Sequence, residues 1–149
     1  MPRYFLKRLK IEGFRGINNQ GNPLDISFKP RAVNSVFAVN GIGKSSIFES
    51  LHYVIHGTIP KLDDLKASER PQDYYRNRFH SGDRAVIEVE MEPDDGSAVV
   101  AIKVDRDAAG TRTVSSPSGH TDPTDFLSTL NEAFALLDCL LYTSPSPRD

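Results

Sequence analysis

Several stretches of the chain alternate apolar and polar residues with a period of two, which predicts half-buried β-strands. Leu9 and Ile11 alternate with charged neighbours, and residues 24–28 alternate again after a turn rich in Asn, Gly and Pro. Residues 87–91 and 100–104 repeat the pattern on either side of a Pro-Asp-Asp-Gly turn, and residues 111–115 allow one more strand. The pattern therefore predicts two antiparallel hairpins.

A different pattern lies between the hairpins. Residues 33–39 are mostly apolar and poorly alternating, as expected for a strand buried on both faces, and a glycine loop follows them. From Lys44 the apolar residues take helical spacing, and the helix is predicted to end near His56, because Gly57 and Pro60 follow. The apolar face of this helix consists of Ile47, Phe48, Leu51, Val54 and Ile55.

The rest of the chain is less regular. Residues 58–84 are polar, and their aromatic side chains are the expected anchors to a core: Tyr74, Tyr75 and Phe79. A second helix is predicted to begin with Asp122 as N-cap and Pro123 as first helical residue. Its apolar face would consist of Leu127, Leu130, Phe134 and Leu137.

Composition excludes several classes of protein. The 149 residues are 38% hydrophobic and 26% charged, as expected for a globular protein, and the single cysteine cannot form an internal disulfide. No apolar run reaches the length of a transmembrane helix and the N-terminus resembles no signal peptide, so we expect a cytoplasmic protein without a membrane partner. Residues 1–61 hold nine Lys/Arg against three Asp/Glu, whereas residues 62–138 hold eight against sixteen. A basic N-terminal part is compatible with phosphate or nucleic-acid binding.

Residues 38–45 have the spacing of a phosphate-binding P-loop, with Ala38 at the position usually held by the first glycine. Gly41 and Gly43 allow a tight turn whose N–H groups point at a phosphate, next to the positive end of a helix. Lys44 would reach the β- and γ-phosphates, and the Ser45 hydroxyl would coordinate Mg²⁺. The loop thus predicts a nucleoside triphosphate and Mg²⁺ as cofactors.

The sequences of two segments indicate which class of P-loop protein the chain resembles. Leu-x-Ile-x-Gly-Phe-Arg at residues 9–15 and Val-Asn-Gly-Ile-Gly-Lys-Ser-Ser at residues 39–46 resemble the N-terminal part of SMC, RecF, RecN and SbcC-type ATPases, which are ABC-class P-loop ATPases. The resemblance implies an α/β fold: the N-terminal half of an ABC-ATPase-like head, with antiparallel hairpins around the P-loop strand and helix. It also implies ATP as the nucleotide, with Arg15 near it and the following residues as contacts: Asn40, Gly41, Ile42, Gly43, Lys44, Ser45 and Ser46.

In such proteins two heads sandwich two ATP molecules, and ATP binding and hydrolysis gate DNA or partner binding. The resemblance therefore implies a parent ATPase of DNA repair or chromosome maintenance. Its partners would be the missing C-terminal part of the same chain, a second head and DNA or a nuclease. The alternatives are the ATPase module of a defence system that regulates a nuclease, and a small P-loop kinase or GTPase. No Q-loop, signature motif or Walker B pair is identifiable, so residues 1–138 are interpreted as a partial head, inactive alone.

Three other sequence patterns are weaker candidates for a functional site. Residues 134–138 have the form of a Walker B strand, but the proline-capped helical pattern runs through them and no Glu follows. His52 and His56 are spaced like metal ligands, but Tyr53 stands where the zinc-protease pattern needs Glu, so a surface or helix-end role is expected. Acidic pairs at residues 63–64 and 94–95 are expected in a loop and a turn.

The last eleven residues, 139–149, break the helical pattern and end in a Pro/Ser stretch. They resemble the translation of a transposase adapter used in preparing DNA sequencing libraries. We therefore expect native sequence to end near Asp138. The lone cysteine, Cys139, would then belong to the non-native tail.

Overall fold

A computed structural model of the chain describes residues 3–18, 21–36, 44–117 and 123–128. Within those residues one antiparallel sheet has the strand order β2-β1-β3-β4-β5. Its strands are β1 (Tyr4–Glu12), β2 (Leu24–Ser27), β3 (Ala85–Pro93), β4 (Val100–Arg106) and β5 (Arg112–Ser115). The helices are α1 (Lys44–His56), α2 (Pro60–Asp63) and α3 (residues 123–128), with 3₁₀ turns at Ala67–Glu69 and Pro71–Tyr74.

The strand pairing confirms both predicted hairpins. Leu9 faces Ile26 in the β1–β2 hairpin, and Ile87 faces Val104 in the β3–β4 hairpin. β5 continues the second hairpin by pairing with β4. The two hairpins are joined into a single sheet because β1 also pairs with β3, antiparallel and over most of its length. That pairing is between segments some eighty residues apart, so local alternation did not predict it.

One face of this sheet forms the core. The inward side chains of the three central strands are almost completely buried, together with Tyr53 and Val54 of α1. The ring of Phe14, just after β1, lies 5.5 Å from the ring of Tyr53. Each such side chain contributes about 1.5–3 kcal/mol relative to an exposed position. The central strand residues are Leu9, Ile11, Ile87, Val89, Ile102 and Val104.

The opposite face of the sheet carries charges in pairs. Arg8 on β1 bonds Asp25 of β2 at 2.6 Å and approaches Glu90 of β3 at 3.7 Å, and Lys10 approaches Glu88 at 3.9 Å. The basic strand of the N-terminal part thus lies beside the acidic strand of the second hairpin. Part of the charge asymmetry along the sequence is therefore neutralised across the sheet.

α1 ends where its sequence predicts. Gly57 has a φ of +78° and its amide donates to the carbonyl of Tyr53 at 2.8 Å, which closes the helix. Arg112 of β5 donates to the carbonyl of Val54 at 2.8 Å and to that of Tyr53 at 3.3 Å. A cation at this end complements the helix dipole, although burial lowers the pKa of Arg112.

The predicted buried strand at residues 33–39 is wrong over its first four residues. Residues 33–36 form no strand, and the side chains of Val33 and Val36 are 96% and 47% exposed. A strand with both faces buried needs neighbours that accept its hydrogen bonds and cover its side chains. Within the part of the chain that the structure describes, β2 is the edge of the sheet and no strand pairs with this segment.

The predicted anchors of residues 58–84 are partly wrong. Tyr75 is buried, but Tyr74 and Phe79 are 50% and 75% exposed. Ile59 and Leu62, on either side of the start of α2, are buried instead. A proline at the first position of α2 starts a short helical turn, and that turn directs its apolar residues inward.

α3 confirms a helix in the first part of the last predicted helix, and its Phe126 and Leu127 are buried. Several predictions lie outside the described residues: the strand over 37–39, the P-loop residues 40–43, the helix beyond residue 128 with its Walker B-like end, and the tail at 139–149. In the described ranges no helix is both long and apolar enough to cross a bilayer.

Candidate nucleotide-binding site

The candidate site is built at the beginning of α1. Lys44 is the first residue of the helix, so the free N–H groups of the first turn directly follow the predicted P-loop. The first turn carries no acidic residue that would repel a phosphate. Helix geometry and charge therefore fit an anion at this end.

The two serines that follow Lys44 lie in different environments. Ser45 is exposed, whereas Ser46 is buried and its hydroxyl oxygen accepts a hydrogen bond from the amide of Gly16 at 2.9 Å. Ser46 thereby fixes the start of α1 to the loop after β1. Of the two hydroxyls, that of Ser45 is at the surface, which fits its predicted role as a Mg²⁺ ligand.

Arg15 lies on the loop after β1 and its side chain reaches α1. Its guanidinium contacts the same carboxylate oxygen of Glu49 through Nε at 3.2 Å and Nη2 at 3.0 Å. Nη1 donates to the carbonyl of Tyr74 at 2.9 Å. The two charged side chains are only 17% and 12% exposed, so their attraction is weakly screened. Arg15 therefore joins three segments: the β1 exit, α1 and the 3₁₀ turn at Pro71–Tyr74.

The backbone of Arg15 is held as firmly as its side chain. Its φ of +52° is left-handed, a conformation that costs a non-glycine residue about 1–2 kcal/mol. Its amide donates to the carbonyl of Tyr75 at 3.0 Å, and its carbonyl accepts from the side-chain amide of Asn77 at 2.9 Å. The amide of Asn77 also donates to the carbonyl of Gly13 at 2.8 Å. Asn77 thus stabilises the bend that places Arg15.

A buried histidine closes the other side of this bend. The His80 side chain is 5% exposed, and its Nε2 lies 3.9 Å from Glu12. A Cβ on Gly13 would lie 2.6 Å from the ring, and one on Gly82 would lie 2.7 Å from it. Glycine is therefore required at position 13, because the backbone has a positive φ there and because the His80 ring approaches it closely. Glu49, Asn77 and His80 carry no motif, so sequence reasoning missed them.

The histidines of α1 play a structural role at its end. Nδ1 of His52 donates to the carbonyl of Thr58 at 2.8 Å, and the rings of His52 and His56 lie 4.2 Å apart. The helix-end role is as predicted, but His52 is buried rather than at the surface. Among the described residues, no three His, Cys, Asp or Glu side chains lie together so as to hold a metal ion.

Residues 94–95 form a turn, as predicted. The carboxylate of Asp94 accepts from the amide of Arg3 at 3.0 Å, and that of Asp95 accepts from the amide of Ser97 at 2.9 Å. Both acids are thus engaged in holding the loop between β3 and β4. These hydrogen bonds give both carboxylates a structural role in the turn.

Sequence comparison gives one family match. The AAA domain family matches residues 8–133, which is most of the chain. No curated protein matches it. The matched range includes the β1 exit, the predicted P-loop and α1.

Comparison with solved structures gives the same class of fold. A structure from work on ATP-driven dimerization and DNA-stimulated activation of SMC ATPases superposes with a TM-score of 0.67 at 17% identity, over 87% of this chain and 80% of that one. The Smc head domain with coiled coil and joint from Pyrococcus yayanosii gives 0.67 at 19%, over 88% and 26%. An Smc head bound to the C-winged helix domain of ScpA gives 0.66 at 18%, over 87% and 40%.

These likenesses confirm the predicted fold class, an α/β P-loop NTPase head of the SMC type with antiparallel hairpins. The chain spans only 26% and 40% of the length of two of the structures that it matches. It thus shares its fold with one part of those longer chains.

Proposed function

Because the chain belongs to the AAA domain family, we propose that it binds ATP together with Mg²⁺ at the loop before α1. One observation carries the proposal: α1 begins at Lys44, directly after the glycine loop, and its first turn is free of acidic residues. The SMC-type fold favours this function over a small kinase or GTPase.

Different residues of the chain would contact different parts of the bound ATP and Mg²⁺. Asn40, Gly41, Ile42 and Gly43 would surround the phosphates with backbone N–H groups, and Lys44 would neutralise the β- and γ-phosphates as a point charge. The exposed hydroxyl of Ser45 would be a Mg²⁺ ligand. Mg²⁺, when bound, would supply positive charge that offsets the negative charge of the nucleotide. Ser46 would be a further nucleotide contact, and its hydroxyl oxygen also positions the start of the helix by accepting the hydrogen bond from Gly16.

We further propose that the parent protein is an SMC, SbcC or RecF-like ATPase that acts in DNA repair or chromosome maintenance. The support is the fold likeness to SMC heads, one of them described in work on ATP-driven dimerization and DNA-stimulated activation. By this proposal a second head and further sequence supply the signature motif and Walker B acid, and DNA or a nuclease is the partner. The parent's genomic neighbours would distinguish a repair role from a defence system.

The test of binding compares two lysines. Isothermal titration of chain 1–149 with ATP and Mg²⁺ should show one weak site. Lys44→Ala should weaken it at least tenfold, equivalent to about 1.4 kcal/mol, because a direct phosphate contact is lost. Lys61→Ala removes an exposed lysine on α2 and should bind like the wild type. Equal affinity of the two variants would contradict the proposal.

A measurement of ATP hydrolysis tests separately whether chain 1–149 lacks a catalytic acid, as proposed. Phosphate release by chain 1–149 should stay at background, since no catalytic acid is identified in it. Robust hydrolysis that Lys44→Ala abolishes would show that the chain carries its own catalytic acid.

A further inference from the structure

A polar cavity of about 330 Å³ lies between residues 72–78 and the turn that joins β4 to β5. Arg76, Arg78 and Arg106 line it, together with residues 107–110. Guanidinium groups present several N–H donors in a fixed plane, which suits oxyanions. Among the described residues that line it, none belongs to the first turn of α1.

Of the three arginines, Arg106 gives the strongest reason to expect an anion, because it is only 6% exposed. Its Nη1 donates to the hydroxyl of Tyr53 at 3.1 Å, its Nη2 donates to Oε1 of Gln72, and its guanidinium lies 4.2 Å from the ring centre of Tyr75. Its polar contacts are thus neutral. In the part of the chain that the structure describes, no carboxylate oxygen forms an ion pair with Arg106 within 4.0 Å. A buried cation without a counter-charge is costly, so an anion at this site would stabilise it.

The two carboxylates at the cavity are engaged elsewhere. Asp73 pairs with the exposed Arg70 at 3.0 Å. Asp107 accepts a hydrogen bond from the amide of Thr111 at 2.9 Å, which closes the turn between β4 and β5. The described ion pairs join neither acid to an arginine of the cavity. Three arginines against these two acids give the lining of the cavity a net positive charge.

The turn beside Arg106 is shaped for close approach. Gly110 has a φ of +91°, and a Cβ there would lie 3.2 Å from Nη2 of Arg106. Only glycine allows the backbone to take this conformation without strain. The amide of Gly110 is used within the turn, where it donates to the carbonyl of Asp107 at 3.1 Å. The cavity's positive character therefore comes from its guanidinium groups.

We propose that this cavity binds a phosphate group, with Arg76, Arg78 and Arg106 as its cationic partners. The phosphate could come from a free anion such as pyrophosphate or from the backbone of a nucleic acid. This site goes beyond ATP binding at the P-loop, and it can be present or absent independently of it.

The probe is sodium pyrophosphate without Mg²⁺, titrated into ¹⁵N-labelled chain 1–149 and followed by NMR. The amides of residues 107–111 and the Nε signals of Arg76 and Arg78 should shift together. Arg78→Gln should weaken this binding about fivefold, the size expected for one partly solvated charge contact. Arg78 is exposed, so the variant should fold. Arg84→Gln removes a nearby exposed arginine that does not line the cavity and should bind like the wild type.

Two further arms separate the alternatives. Lys44→Ala should abolish pyrophosphate-induced shifts at residues 40–45 and leave those at 107–111, which distinguishes failure of the P-loop from failure of the cavity. A single-stranded oligonucleotide that shifts residues 107–111 would identify backbone phosphate as a source, and shifts with pyrophosphate alone would identify a free anion. Unshifted amides at 107–111 with both probes, or equal affinity of Arg78→Gln and Arg84→Gln, would overturn the proposal.

Discussion

The amide of Gly16 donates a hydrogen bond to the hydroxyl oxygen of Ser46 at 2.9 Å, across 30 residues of sequence. This contact ties the exit of β1 to the first turn of α1. It also gives the two adjacent serines of the P-loop helix different tasks. Ser46 holds the helix, and Ser45 remains at the surface.

Ser46→Ala should therefore destabilise the fold more than Ser45→Ala. Removal of the buried acceptor takes away the hydrogen bond of the Gly16 amide, at a cost of about 0.5–1.5 kcal/mol. Ser45→Ala should change the free energy of unfolding by less than about 0.5 kcal/mol, because Ser45 is exposed. Urea unfolding followed by circular dichroism measures both.

The same two variants should reverse their order in ATP binding. Ser45→Ala should lower the affinity for ATP in the presence of Mg²⁺ and have little effect without the metal. Equal unfolding midpoints for the two variants would show that the Gly16–Ser46 contact contributes nothing to stability.

The Arg15–Glu49 pair gives a second prediction. Arg15→Gln and Glu49→Gln should each lower the free energy of unfolding by about 1–3 kcal/mol, since each leaves a mostly buried charge unpaired. The double variant should cost less than the sum of the two, because one interaction is lost in both. Strictly additive effects would contradict an energetic coupling between them.

ATP titration of these variants tests the role that the family resemblance implies for Arg15. A nucleotide contact by Arg15 predicts a larger loss of ATP affinity in Arg15→Gln than in Glu49→Gln. Equal losses would instead indicate that Arg15 acts only by positioning α1 and the Pro71–Tyr74 turn.

Adding a side chain at Gly13, at the β1 exit, has two costs: backbone strain and a steric clash with a neighbour. Comparison with Gly96 separates the two, because only the strain applies there. Gly13 and Gly96 have φ values of +66° and +82°, but only at Gly13 would a Cβ meet a neighbour, the His80 ring at 2.6 Å. Gly96→Ala should cost about 1 kcal/mol for its backbone alone. Gly13→Ala should cost a further 1–3 kcal/mol or so, because the buried ring must move. Equal thermal midpoints of the two variants would contradict this packing.

The charged face of the sheet predicts a pH dependence. The hydrogen bond from Arg8 holds the pKa of Asp25 below its ordinary value of 3.8. A carboxyl whose pKa is depressed in the folded state stabilises the fold above its unfolded pKa, and this stability is lost as pH falls through the folded pKa. Arg8→Gln should therefore raise the pKa of Asp25 toward 3.8, as followed by NMR of the carboxyl carbon.

Asp95 is the internal control for this titration. Hydrogen bonds from Ser97 in the β3–β4 turn lower its pKa, and Arg8 has no part in them. The pKa of Asp95 should stay low in Arg8→Gln. A parallel rise of both values would point to a general change of the fold rather than to the Arg8–Asp25 bond.

Local patterns predicted the elements well. Alternation located β1, β3 and β4, and α1 was placed from Lys44 to His56 because its apolar spacing, Gly57 and Pro60 agree. These signals act within a few residues, so they are readable in the sequence. The failure at residues 33–36 has the opposite cause: a strand buried on both faces depends on neighbours that no local pattern reveals.

The sequence by itself determined the class of this protein. The P-loop and β1-exit segments resemble SMC-like ATPases, which implies an SMC-like head fold, and the comparisons confirm an AAA domain with that fold. Such features follow from residue type and spacing, because backbone geometry at a turn or a helix end depends on a few consecutive residues.

Only the tertiary structure decided which residues support the site. The pairing of β1 with β3, the contact of Ser46 with Gly16, the pairing of Arg15 with Glu49 and the buried Arg106 join segments far apart in the chain. Each depends on how the sheet is assembled and on which side chains meet at its end. Side-chain contacts of that kind are set by the packing of the whole domain, so they cannot be predicted from local sequence.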